Sequence, residues 1–251
     1  MRQTLVMFAL FGMIVGAAAA HAAEKKAEEP KINVLLITGD DVSAHNWREI
    51  SEATRKVLVD SGKFDVKVAE DPMILDSAAA LKPYDVIVFT IFTTKKTASI
   101  TDQAKENLLN FIKGGKGFFV QHLASGSYPD WPEFGKLVGR KWVMKTSGHG
   151  PRSVFETRVV NADHPITKGM TGFKIDDELY AKLQGDEPIE VLVEADSDWS
   201  NRTEPLVFTR TFGEGRMVHN AMGHDGTVIT DPNVAKLIVR GVEWAARGEV
   251  K

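Results

Sequence analysis

Three short stretches constrain the fold more tightly than anything else in the chain. "INVLLIT" (32–38), "YDVIVFT" (84–90) and "GKGFFVQH" (115–122) place apolar residues at consecutive positions. A strand alternates its side chains between two faces, so an unbroken apolar run means that both faces are buried. The segments between these runs have a different rhythm. "NWREISEATRKVLVDSG" spaces Ile50, Ala53, Val57 and Leu58 as a helix does and stops at Gly62. "TDQAKENLLNFIKGG" opens on Thr101 as a cap and ends in glycine, while "FDVKVAE" alternates as an outer strand does. Strand and helix in turn, with strands buried on both faces, predict an α/β fold in which a mostly parallel central sheet is covered on both sides.

The second half changes character. "SVFETRVVN", "IEVLVEA", "PLVFTRTF" and "GRMVHNAM" read as strands with few helices between them, and "GEG" joins the last two as a hairpin. No helix follows that glycine turn, so it is not read as a phosphate loop. "DPNVAKLIVRGVEWAARG" closes the chain as a helix with Asp231 at its cap and Pro232 at its first position. Ala235, Val239, Val242 and Ala246 are expected in its buried stripe. There is no internal repeat and no linker to a second domain.

The first residues stand apart from this pattern. "MRQTLVMFALFGMIVGAAAAHAA" carries Arg2, an apolar stretch and then small residues, with Ala20-His21-Ala22 as an A-x-A cleavage site. Residues 1–22 are therefore expected to be a signal peptide, 23–30 a flexible leader and 31–248 the folded domain, exported to the periplasm or secreted without a permanent membrane span. One of the 31 cationic residues lies in 1–22, leaving 30 Lys and Arg against 34 Asp and Glu, a net charge of −4. Nothing in that balance favours nucleic acid or an anionic membrane. The chain has no cysteine, which excludes disulfides, thiolate metal sites and a thiol nucleophile.

Ligands of open α/β sheets bind outside the carboxyl ends of the strands, so strand ends are where candidate site residues carry information. His45 lies in the loop after the first strand, His122 ends the third buried run, and His224 follows the last strand in "RMVHNAMGHD". His149 sits in the glycine-flanked "TSGHGP", and Glu178 in "KIDDELY". Such a set suits a divalent metal, general acid/base work or the holding of a polar substrate. His45, His122, His149 and His224 are the candidate metal ligands, with zinc favoured. His122, His224, Glu178 and Asp225 are the candidate catalytic groups, Asp225 orienting His224. His122 and His224 more than about 12 Å apart could not share one ion. His164, before a proline, and His219, inside a strand, read as structural.

The blocks "NVLLITG…HNW", "GKGFFVQHLA", "GHG", "DELY" and "PLVFTRTFGEGRMVHNAMGHD" resemble, in order, those of the ThuA-like (trehalose-utilisation) proteins, within the class I glutamine amidotransferase-like superfamily. The resemblance spans 31–247 and implies a flavodoxin-like, three-layer sandwich. In glutamine amidotransferases a cysteine follows the central strand; here His122 and Leu123 occupy that place, so glutaminase chemistry is not expected. The resemblance implies carbohydrate catabolism: hydrolysis or isomerisation of an oxidised, 3-keto glycoside or related sugar. The partner would then be a small sugar or oxidised disaccharide, with homo-oligomerisation left open. The alternative is a non-catalytic sugar-binding or assembly module on the same fold.

Overall fold

The first strand, β1 (Ile32–Ile37), shows why an unbroken apolar run was needed. Val34 and Leu36 enter one hydrophobic core, Leu35 and Ile37 the other, and all four are fully buried. The computed structural model describes residues 29–40, 42–93 and 100–251. The expected signal peptide and all but the last two residues of the leader lie outside these. From Lys31 to Lys251 the chain forms one unit. No helix among the described residues is long and apolar enough to cross a membrane.

Along the chain, β1 is followed by α1 (Trp47–Asp60), β2 (Phe64–Ala69), α2 (Ala78–Leu81), β3 (Val86–Phe89), α3 (Asp102–Lys113), β4 (Gly117–Gln121) and α4 (Pro132–Val138). Then come β5 (Ser153–Val159), β6 (Lys174–Asp177), β7 (Glu190–Ser197), β8 (Arg202–Phe212), β9 (Gly215–Asn220), α5 (Gly226–Thr230) and α6 (Pro232–Arg247). The nine strands make one sheet in the order β2-β1-β3-β4-β9-β8-β7-β5-β6. Buried residues of α1, α5 and α6 belong to one core, those of α2, α3 and α4 to the other.

The sheet is mixed rather than mostly parallel. Pairings from β2 to β9 are parallel, and those from β9 to β6 are antiparallel. The reason is connection length. A parallel pair needs a crossover, usually a helix, whereas the tight turn at Gly213 returns β8 directly into β9. The second half has no helix between its strands to carry a crossover.

Two further expectations need correction. The α6 stripe is rotated: Val234, Leu237, Ile238, Gly241, Val242 and Ala245 are buried, so of the four expected residues only Val242 lies in it. Ala235, Val239 and Ala246 flank the stripe and are partly buried. Strand β6 was not read at all, because "KIDD" is too short and polar to show a period.

The "KGGKG" turn, which ends α3 and enters β4, makes a test. Gly115 has φ +102° and Gly114 does not lie in the left-handed region. A β-branched side chain there costs about 2 kcal/mol, so Gly115→Val is expected to lower the melting temperature by roughly 4–8 °C. Gly114→Val should meet only the tight contact with Asn110 O, at 3.1 Å. Equal melting temperatures for Gly115→Val and the parent would refute the turn assignment.

Candidate metal centre

The parallel half sends the carboxyl ends of β1, β4 and β9 to one edge of the sheet. His45 leaves β1, held in a short bridge with Val42. His122 directly follows β4 and adopts φ +47°, a left-handed backbone that a non-glycine residue rarely takes. His224 lies four residues beyond the end of β9. The four antiparallel pairings from β9 through β8, β7 and β5 bring β6 out at the same edge, and Glu178 follows it immediately.

These residues converge. Ring centroids of His45 and His224 are 4.7 Å apart, those of His45 and His122 5.2 Å, and those of His122 and His224 6.2 Å. Glu178 Oε2 lies 3.1 Å from His224 Nδ1 and 3.7 Å from His122 Nε2. One ligand atom from each of His45, His122, Glu178 and His224 falls within 4.8 Å of all the others, so the four could hold a metal ion. Ligands of one tetrahedral zinc sit about 3–4 Å apart, and the side chains would draw in by about 1 Å.

Backbone carbonyls prepare two of the rings. His122 Nδ1–H donates to Ala221 O at 2.6 Å, and His45 Nδ1–H donates to His224 O at 3.2 Å. Each bond fixes the tautomer and leaves Nε2 as a lone-pair donor, the usual outer-shell arrangement of a metal-bound histidine. His122 Nε2 and His224 Nδ1 are buried and find no hydrogen-bond partner among the described residues. Burial, then the neighbouring His122 ring, lowers the His45 pKa to about 4, so that imidazole is neutral. Burial pushes the Glu178 carboxyl up, but the rings around it, His122 first, outweigh that and hold it at about 2. His45 and Glu178 thus offer a neutral imidazole and an ionised carboxylate without losing protons at neutral pH.

His149 is close but stands outside the four. Its Nδ1–H donates to Gly150 O at 2.6 Å, and its Nε2 lies 3.5 Å from Glu178 Oε1, whereas His224 pairs with Oε2. Glu178 completes the group of four in its stead because β6 delivers that carboxylate deeper, at 14% exposure against 31% for His149. Asp225 does not orient His224. Its carboxylate caps α5 by accepting from Val228 N–H at 2.9 Å and pairs with Arg152 at 2.6 Å. His224 meets Glu178 instead. His164 accepts from Ile166 N–H and packs on Trp244, and the fully buried His219 packs on Phe208.

Tyr180, which closes the "DELY" block but was not among the candidate site residues, also belongs to the site. Its ring stacks on His122 at 3.8 Å, with Trp142 on it at 4.4 Å, and its hydroxyl lies 3.5 Å from His45 Nε2. That contact is too long to compete strongly with a metal ion for the nitrogen. Beside the cluster is a small crevice of about 20 Å³, with Gly39, Asp40, His45, Trp47, Gln121 and His122 in its walls. It lies where the order of the parallel strands reverses, between β1 and β3, the usual ligand position in such sheets.

The family model for ThuA, trehalose utilisation, matches residues 33–245. The chain belongs to the ThuA family. Among solved structures it is similar to a ThuA-like protein from Parabacteroides merdae, with 26% identity and a TM-score of 0.77 over 88% of this chain and 92% of that one. A ThuA-like protein from Bacteroides uniformis is 20% identical, with a TM-score of 0.68 over 89% and 96% of the two chains. A cytoplasmic protein from Salmonella typhimurium shares the fold at 14% identity, TM-score 0.63, over 86% and 100%. Among curated proteins there is no significant match. Within this ThuA chain, the place of His122 after β4 and the lack of any cysteine leave no thiol for amide hydrolysis.

Proposed function

We propose that this ThuA protein is an exported, metal-dependent enzyme of carbohydrate catabolism that hydrolyses or isomerises a 3-keto glycoside or related oxidised sugar. The observation that carries the reading is the convergence of two buried imidazole nitrogens, neither of them hydrogen-bonded outside the cluster, on an ionised carboxylate beside a crevice at the sheet's switch point. His45, His122, His224 and Glu178 would hold one divalent ion, zinc by the nitrogen-rich set. Bound there, the ion would supply Lewis-acid polarisation of a ketone oxygen. A ketone makes the adjacent C–H acidic, and removing that proton opens either isomerisation, by reprotonation at a neighbouring atom, or expulsion of the leaving group from the next carbon, after which water adds across the new C=C bond to complete hydrolysis. His149 is the proton-handling group: it is the most exposed of the site histidines, and its Nε2 lies 3.5 Å from Glu178 Oε1. The convergence favours this reading over a binding module, for which nothing requires imidazoles to meet.

The proposal includes a flavodoxin-like, glutamine amidotransferase-like origin for the parallel half, supported by the order β2-β1-β3-β4-β9. It also includes export, supported by the signal-like residues 1–22; N-terminal sequencing of secreted material should begin near Ala23. The function is tested by elemental analysis of the purified mature protein and a screen against oxidised disaccharides. One divalent ion per chain is expected, with turnover lost on chelation and restored by metal. Full turnover in metal-free protein, or failure to bind any divalent ion, overturns the reading.

A further inference from the structure

The metal-centre reading has a structural dependence that lies outside the four ligands. Residues 221–224 follow β9 and serve the cluster three times: Ala221 O fixes the His122 ring, His224 O fixes the His45 ring, and His224 supplies its own nitrogen. Whatever holds this turn therefore sets three of the four ligands at once. The turn cannot hold itself in a helix or a strand, since β9 has ended and α5 has not begun.

Asp177 holds it. The residue is fully buried at the end of β6. Its Oδ2 accepts from Gly223 N–H at 2.8 Å and its Oδ1 from His224 N–H at 3.2 Å, so both carboxylate oxygens are spent on adjacent backbone groups. Gly223 has φ +122°, and a Cβ there would lie 2.1 Å from Gln121 Nε2, which itself donates to Met222 O. The turn is thus pinned from β6 on one side and from β4 on the other. A buried carboxylate accepting two backbone N–H groups makes strong, charge-assisted bonds, and the residue after it is the ligand Glu178. One strand end so fixes the remaining ligand as well.

We infer that Asp177 is the positioning residue of this site: through the 221–224 turn it fixes the tautomers of His45 and His122 and the placement of His224. The inference rests on the metal-centre reading for its consequence, but its geometry is testable without metal. The variant is Asp177→Asn, which keeps the shape and one acceptor but turns an amide NH₂ toward the second N–H. Two measurements are made on the full mature chain, with melting curves to establish folding.

In metal-free protein, long-range ¹H–¹⁵N correlation reads the histidine tautomers at a pH above the imidazole range. The parent should show His45 and His122 with the proton on Nδ1, and Asp177→Asn should show mixed tautomers at both. In a Co²⁺ titration followed by visible absorption, the variant should bind about 10–100-fold more weakly, with a changed band shape. A purely structural role would lower the melting temperature and leave tautomers and band shape as they are. Parent-like tautomers together with parent-like Co²⁺ binding overturn the inference. A parent that binds no Co²⁺ refutes the metal reading alone, and the tautomer measurement still decides Asp177. Should Asp177→Asn fail to fold, Asp177→Ser leaves room for a water to meet the two N–H groups and carries both measurements.

Discussion

His122→Ala should bind Zn²⁺ or Co²⁺ about a hundredfold more weakly than the parent, with a matching loss of turnover. Four-ligand zinc sites bind with about 10–16 kcal/mol, so one ligand accounts for about 3 kcal/mol, which is about a hundredfold. His122 is chosen because its Nε2 is buried, faces the cluster and has no other use among the described residues. His224→Ala should behave alike, since Nδ1 of that residue is in the same position. His164→Ala is the control: it loses the contact with Trp244 and some stability, but metal affinity should stay at the parent value. Competition titration against a chelator measures all three. If His122→Ala keeps the parent affinity, the cluster is not the metal site.

A second large effect is expected from acid. His219 is fully buried in β9, and burial lowers its pKa from 6.5 to about 3. The folded protein therefore resists protonating it while the unfolded chain does not, so acid favours unfolding. Its contribution is complete above pH 6.5 and is lost as pH falls toward 3, an amount on the order of 5 kcal/mol. His219→Asn retains an amide able to donate to Val138 O, as His219 Nδ1 does, and cannot titrate. It should be less stable than the parent at neutral pH, because it loses the ring packed on Phe208, yet lose much less stability between pH 6.5 and 3. Urea unfolding across that window gives the answer. Parallel loss in the two proteins would rule out His219 as the source.

The chain by itself determined the parallel half of the sheet and the strand ends on which His45, His122 and His224 stand. Consecutive apolar residues such as Val34 to Ile37 have one stable use, a strand covered on both faces, and that is a local property of the sequence. It also determined that no thiol chemistry is available. The antiparallel half, the true α6 stripe and the membership of the site were decided only by the tertiary structure. Glu178 rather than His149 completes the cluster because β6, a four-residue strand with no readable period, exits at the same edge as β9. Asp225 has the spacing of an orienting group for His224, but spacing does not show that Arg152 from a distant loop takes its carboxylate. Tyr180 and Asp177 act through contacts 135 and 46 to 47 residues away in the chain. Periodicity reports which face a residue presents to its own element's neighbours. It carries no information on which distant backbone N–H or ring nitrogen will meet that residue once the sheet has closed.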